Sequence, residues 1–177
     1  MLDANQLAKL ISFSFQIHET FPKEPKKTVR YWDGKTPYAI HPTWCAMTLL
    51  TEVSLPEFIR ENGAQALLLH DILEDTTAEL PDDCPTIVKS WVSELTFANS
   101  TAAWKEIWQR SDEAKLLKLY DATSNLLDNS WLSTEKSLYN IEQVRKLVIF
   151  VVATFGELNI CSIARAISNK NERECLD

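Results

Sequence analysis

Residues 66–77 read ALLLHDILEDTT. A run of leucines belongs in a core, where unpaired charge is expensive, yet this one carries His70, Asp71, Glu74 and Asp75. Something must compensate those charges. Apolar residues at three- and four-residue spacings favour a helix over a strand, with the helix expected across 65–76. In that helix His70 lies one turn from Glu74 and Asp71 one turn from Asp75, so four polar side chains form a patch beside Leu68, Leu69, Ile72 and Leu73. Acids and an imidazole crowded together are reconciled by a divalent cation, because carboxylate and neutral imidazole are the usual ligands of zinc, manganese and iron. The plain alternative is a solvated helix face with a histidine at its edge, and a His–Asp dipeptide alone arises readily by composition.

Two further segments strengthen the metal reading. His41 opens a helix in PYAIHPTWCAMTLL (37–50), 29 residues before His70 and directly ahead of a proline suited to a first helical turn. Asp121 sits inside the apolar seam of KLLKLYDATSNLL (115–127), with Asn125 one turn later on the same side. Singly, a buried histidine or aspartate is more often a hydrogen-bonded structural residue than a ligand. Together they supply the pattern H…HD…D.

The rest of the chain reads as helix too. There are three glycines, and all seven prolines fall at or before Pro85, so beyond residue 86 Gly156 is the one strong breaker. Leu116, Leu119, Tyr120 and Leu126 recur at helical spacing, as do Val144, Leu147, Val148 and Val151. Ser54, Pro56 and Glu57 have the form of a capping box, Gly63 has the form of a stop, and Ser111 precedes Asp112 and Glu113 in a first turn. Period-two alternation is nowhere sustained. These signals predict an all-α fold, one compact domain over 1–177 with about six to nine helices. The least regular part is 19–39, ETFPKEPKKTVRYWDGKTPYA, a loop between the first two helices.

At 177 residues and 45% hydrophobic composition, the chain can bury one sizeable core. Its formal net charge of -7 argues against general nucleic-acid affinity, while leaving room for an anionic small ligand wherever positive charge is local. Asp3, Gln6 and Lys9 interrupt the first fifteen residues, unlike a signal peptide, and the longest apolar run, LVIFVVATF at 147–155, is too short to span a bilayer. Cys45, Cys84, Cys161 and Cys175 show no CxxC spacing, which fits ordinary thiols in a reducing compartment. The expectation is a soluble, cytoplasmic protein without a nucleic-acid or membrane partner. Its oligomeric state is not legible.

The matching pieces, from about His18 to Asn125, resemble the HD-domain metal-dependent phosphohydrolases. They are a helix ending in His18, Arg30, GKTPYAIHP at 34–42, ALLLHDILEDTT at 66–77 and KLLKLYDATSN at 115–125. The combination is most similar to the small stand-alone Rel/SpoT-type alarmone hydrolases, which remove the 3′-pyrophosphate of guanosine tetraphosphate with manganese. The Glu–Asp pair after HD distinguishes this branch. The resemblance implies an HD-type helical bundle. It implies His41, His70, Asp71 and Asp121 as ligands of a divalent metal, Mn2+ foremost, with Fe2+ or Zn2+ as alternatives. It implies Glu74 and Asp75 as the residues that position or deprotonate the attacking water, Arg30 packed against the base and Asn125 holding the nucleotide.

The chemistry agrees, because water attack on a highly negative phosphate needs both charge neutralisation and a better nucleophile. One carboxylate of the Glu74–Asp75 pair works best as a base if its like-charged neighbour raises its pKa. The 19–39 loop supplies local positive charge through Lys23, Lys26, Lys27, Arg30 and Lys35, interleaved with Tyr31, Trp32 and Tyr38. Its lysines read either as a nucleotide-binding lip or as a solvated loop, and Tyr38 reads as packed rather than catalytic. Trp91, Trp104, Trp108 and Trp131 read as core, and Glu79, Asp82 and Asp83 as a solvated turn.

This chain also departs from the family pattern. Ala122, Thr123 and Ser124, then Leu126 and Leu127, replace a basic or bulky segment, and Thr96-Phe97 replaces a threonine followed by a polar or basic residue. Lost positive charge near the phosphates keeps two alternatives open: another nucleotide or phosphate ester as substrate, and a non-catalytic helical binding or regulatory module.

Overall fold

Helix α3 (Glu57–Leu69) has every residue from Gly63 to Leu69 buried, so its second half runs through the centre of the molecule with no solvent face. A computed structural model describes residues 2–176, apart from the Lys26 side chain. Small residues in α3 let its neighbours come close, α2 (Ile40–Leu50) on one side and α7 (Asp112–Leu126) on another. A β-carbon added to Gly63 would meet Leu49 Cδ2 at 2.7 Å and Leu117 Cδ2 at 2.9 Å. Gly63 is therefore a close-packing residue inside α3, not the helix stop its residue type suggested. Nor does Ser54 cap α3: Pro56 occupies the cap position without a side-chain bond, and Ser54 is exposed.

Around this centre, α1 (Ala4–Thr20) lies across α3, and α5 (Thr86–Leu95) packs on α3 and α7. A short α6 (Ser100–Glu106) leads into α7, whose start is capped by Ser111 Oγ accepting from Ala114 N. The long α8 (Thr134–Phe155) ends at Gly156, which takes φ 85°. That left-handed conformation suits glycine, and the chain turns back into α9 (Asn159–Leu176). Helix α9 is anchored by the buried Glu52 carboxylate, which accepts from Asn159 N, Ile160 N and Tyr120 OH at 3.0, 2.9 and 3.1 Å. Among the described residues there is no strand, only isolated bridges at Pro22–Thr76 and Val29–Pro37, and no helix is long and apolar enough to cross a membrane. The fold is all-α, as the periodicity predicts.

One local difference shapes the site. The helix expected over 65–76 is interrupted: α3 ends at Leu69, and a single turn, α4 (Ile72–Asp75), follows. His70 Nδ1 bonds to Leu67 O at 2.8 Å, the carbonyl that an unbroken helix would offer to the Asp71 N–H. The break places His70 and Asp71 between the two helices, just ahead of the turn that carries Glu74 and Asp75.

Candidate metal centre

Three helical segments converge at the break. His41 stands in the first turn of α2, His70 and Asp71 lie between α3 and α4, and Asp121 projects from the buried side of α7. All four are at most 7% exposed. His41 Nε2 lies 3.1 Å from Asp121 Oδ1 and 3.4 Å from Asp71 Oδ2. His70 Nε2 lies 3.1 Å from Asp71 Oδ1 and 3.5 Å from Asp121 Oδ1. One donor atom each from His41, His70 and Asp121 lies within 4.8 Å of the others, and Asp71 touches both imidazoles.

The donor set fits a divalent cation. The Leu67 carbonyl can only accept, so neutral His70 carries its proton on Nδ1 and presents a lone pair at Nε2. His41 Nδ1 lies 2.8 Å from Ser124 Oγ, which likewise leaves Nε2 facing inward. Both Nε2 atoms are buried without a hydrogen bond, and what faces them is carboxylate oxygen. Lone pairs opposed to lone pairs in a buried site call for a positive charge between them. The spacing agrees, since ligand atoms about 2.1 Å from a metal are about 3.0 Å apart in octahedral and about 3.4 Å apart in tetrahedral geometry.

Protons alone answer this demand only in part. Burial pulls the His70 pKa down, but Asp71 and Asp121 outweigh it and raise it to about 9. At His41 burial prevails and the pKa falls. Burial pushes Asp121 up, and Lys118 with the two imidazoles overcomes it, holding that carboxyl well below the usual range.

A second layer fixes the ligands. Lys118 Nζ lies 2.6 Å from Asp121 Oδ2, and Asn125 Nδ2 donates to Asp121 Oδ1 at 2.7 Å. Tyr38 OH donates to Asp71 Oδ2 at 2.8 Å, so the half-buried Tyr38 is packed and also orients a ligand. His18 stacks on Tyr38 with ring centroids 4.9 Å apart and bonds through neither nitrogen. All four cysteines are free, and burial pushes up the thiol pKa of Cys45, whose Sγ lies 4.0 Å from His41 Nδ1.

The carboxylates of Glu74 and Asp75 have different partners. Glu74 Oε1 accepts from the backbone N–H of Phe97, while burial and then the Asp71 charge raise its pKa to about 7. Asp75 Oδ1 is paired with Lys27 Nζ at 2.7 Å. The single patch expected from the sequence is thus divided three ways: to the cluster, to Phe97 and to Lys27.

Beside the cluster opens a cavity of about 520 Å³. Lys27, Arg30, Lys118, Asp121 and Asn125 line it toward the cluster, and Trp104, Trp131, Leu126 and Val144 form apolar wall. Arg30 is 3% exposed, with Nε 3.0 Å from Asp128 Oδ2 and its guanidinium 5.3 Å from the Trp32 ring centre. Asn125 is exposed at the cavity surface. Lys23 Nζ bonds to backbone carbonyls, Lys35 is exposed, and the Lys26 side chain lies outside the described residues. Of the four tryptophans expected in the core, Trp91 and Trp104 are buried, but Trp108 and Trp131 are 37% and 56% exposed. Trp131 stacks on Tyr31 at 4.4 Å instead. Lys118 and Ser124 were missed from the site, although each lies three residues from Asp121 and so within one helical turn of it. Asp128 carried no such signal.

Buried imidazoles and carboxylates gathered from separate helices define a helical site fit for a divalent metal. The fold has a solved counterpart, a protein described as a metazoan ortholog of SpoT that hydrolyzes ppGpp and plays a role in starvation responses. The two superimpose with a TM-score of 0.72 over 97% of this chain and 98% of that one, at 21% sequence identity, a likeness of fold. No family model matches the chain, and no curated protein sequence matches it significantly.

Proposed function

We propose that this protein is a divalent-metal-dependent phosphohydrolase that removes the 3′-pyrophosphate of guanosine tetraphosphate or pentaphosphate. The observation that carries the reading is the pair of buried, unbonded imidazole nitrogens, His41 Nε2 and His70 Nε2, facing Asp71 and Asp121. Those four residues hold the metal. A nitrogen and oxygen donor set without thiolate suits Mn2+, with Fe2+ or Zn2+ as alternatives. Once bound, the cation neutralises phosphate charge and makes water more acidic.

The chain's own groups do the rest. Glu74, three residues past Asp71 and with a pKa raised to about 7, takes the proton of the attacking water near neutral pH. The water oxygen joins the phosphorus attached to O3′, the P–O3′ bond breaks, and the leaving ribose oxygen takes up a proton. Products are pyrophosphate and guanosine 5′-diphosphate, or 5′-triphosphate from the pentaphosphate, with a free 3′-hydroxyl. Asp75, tied to Lys27, positions the turn that carries Glu74. Arg30 packs beside the base and Asn125 holds the nucleotide, both from the wall of the cavity. We take 1–177 as one catalytic domain and place it in the cytoplasm, consistent with its free cysteines. Alarmone hydrolysis is described for the protein that shares this fold, which supports the substrate assignment.

A second reading, hydrolysis of another nucleotide or phosphate ester, draws on Ala122, which lines the cavity, and on Phe97, whose ring lies 5.3 Å from Lys118 Nζ and which stands where the family pattern has a polar or basic residue. Purified protein reconstituted with manganese and given guanosine tetraphosphate tests both. Release of pyrophosphate and guanosine diphosphate is the expected result. An intact tetraphosphate alongside cleavage of other phosphate esters selects the second reading. Failure to bind manganese, iron or zinc near stoichiometrically leaves a non-catalytic helical module.

A further inference from the structure

The loop before α2 is stitched to the turn that carries Glu74. Lys23 N donates to Asp75 O at 2.8 Å and Thr77 N to Phe21 O at 3.0 Å, a short antiparallel bridge. Lys23 Nζ adds bonds to Leu73 O and Glu74 O at 2.7 and 2.9 Å. A second bridge closes the loop, with Arg30 N on Thr36 O and Tyr38 N on Thr28 O, each at 2.8 Å. Between the bridges Lys27 reaches into the cavity, 32% exposed at its side chain, with Nζ 2.7 Å from Asp75 Oδ1 and 3.6 Å from Glu24 Oε1. Two bridges leave this stretch little freedom to move, so the ammonium is held where it stands.

Other cations of the cavity are committed differently. Arg30 is buried against Asp128, Lys118 is bound to Asp121, a member of the metal cluster, and Lys136, on α8, donates to Ser100 Oγ at 3.3 Å. Lys27 is paired with a carboxylate outside that cluster and is partly open to solvent. An ammonium offers three N–H donors, so Lys27 can keep Asp75 and still donate to an arriving anion. Asp75 outweighs the burial of Lys27 and keeps it charged. Phe97 and Ala122 add no charge, and of the lining cations Lys27 is the one set beside Asp75 and the turn that carries Glu74.

We propose that Lys27 is a phosphate-binding residue of the cavity, contacting the phosphoryl group that lies nearest Glu74 and Asp75. In its choice of anion the inference rests on the phosphohydrolase reading above. It gives the loop a direct part in holding the anion, beside the helix lysines Lys118 and Lys136 that also line the cavity.

The test compares wild type with Lys27→Met, Lys27→Arg and Lys23→Met, using inorganic pyrophosphate as the probe. Pyrophosphate binding to the manganese-loaded protein is measured by calorimetry, together with metal content, melting temperature and KM for guanosine tetraphosphate. Loss of a charge-assisted hydrogen bond predicts pyrophosphate binding weaker by about tenfold or more in Lys27→Met, at unchanged metal content. KM should rise by a similar factor, and Lys27→Arg should restore most of the binding. Lys23 bonds only to backbone carbonyls, so Lys23→Met should lower the melting temperature and leave pyrophosphate binding as it was. Unchanged pyrophosphate binding in Lys27→Met, or a loss that only follows metal content, overturns the proposal. If wild type spares the tetraphosphate while its pyrophosphate binding needs Lys27, the substrate reading fails and Lys27 stands. If Lys27→Met cleaves the tetraphosphate with the wild-type KM, the substrate reading stands and the role of Lys27 is overturned.

Discussion

The metal cluster and the cavity mouth handle charge in opposite ways. His41, His70, Asp71 and Asp121 are 1%, 2%, 7% and 4% exposed, on segments whose crossing is filled by fully buried leucines. With both imidazoles neutral, as metal binding requires, two carboxylates face two nitrogen lone pairs and the Lys118 ammonium alone offsets them, which leaves the buried charge unbalanced. At the mouth, Tyr31, Trp32 and Trp131 are 42%, 45% and 56% exposed, and the cations there have protein partners: Lys27 with Asp75, Arg30 with Asp128. A buried imbalance persists only if a ligand completes it, whereas balanced charge that is partly open to solvent, as at Lys27 and unlike the buried Arg30–Asp128 pair, is free to exchange partners. Under the proposed function, the cluster decides whether chemistry happens, and the mouth decides on what.

The sharpest way to break that division is Asp121→Ala. It removes one cluster carboxylate and should abolish manganese binding and hydrolysis together, as read by metal analysis of reconstituted protein. Near-stoichiometric metal in that variant would mean the cluster is not the centre. Trp131→Ala, at the mouth, should leave metal content unchanged.

Next in size is Glu74→Gln, which should keep the metal and slow turnover by about a hundredfold. Wild-type activity should rise with pH as Glu74 loses its proton, with a midpoint no higher than its value of about 7. The metal-free protein offers a readout independent of turnover. Burial, and then Asp71, raise the Glu74 pKa from 4.5 to about 7 on folding. The stability linked to its proton is therefore fully present below pH 4.5 and is lost as pH rises through about 7. Melting temperature of the metal-free protein should fall across that window, and the Glu74→Gln variant should lack this component. Equal slopes in the two proteins would show that Glu74 does not titrate there.

Legibility in the sequence follows the same division. Helical period exposed α7 and α8, the scarcity of glycine and proline exposed the all-α class, and His41, His70, Asp71 and Asp121 stood out because charge inside apolar runs needs a reason. The break at His70 was hidden, since a side chain taking its own helix's carbonyl leaves no mark in hydrophobic spacing. Gly63 misled because glycine signals both helix ends and close helix crossings, and only packing separates the two. At the mouth, Arg30 meets Asp128 and Tyr31 meets Trp131 from distant parts of the chain, pairings that no local pattern encodes.

The smallest predicted effect, at Gly63, asks whether the rigid region supports the metal at all. A methyl group there would press on Leu49 and Leu117, both fully buried, so neither can swing into solvent to make room. Overpacking of this kind costs about 1–3 kcal/mol, and replacing a helical glycine by alanine returns about 1 kcal/mol. Gly63→Ala should therefore lower stability by up to about 2 kcal/mol, or several degrees in melting temperature. Leu117 lies one turn before Asp121 on α7, and Leu49 shares α2 with His41, so the relief of that pressure moves helices that carry ligands. Manganese affinity should then fall a few-fold along with the melting temperature, whereas Lys27→Met, acting at the mouth, weakens anion binding without touching metal affinity. A Gly63→Ala protein that melts lower yet binds manganese as tightly as wild type would show the cluster to be insulated from the core beneath it. The ligand geometry would then have to be set by the second-layer bonds of Ser124, Tyr38, Asn125 and Lys118 rather than by helix packing.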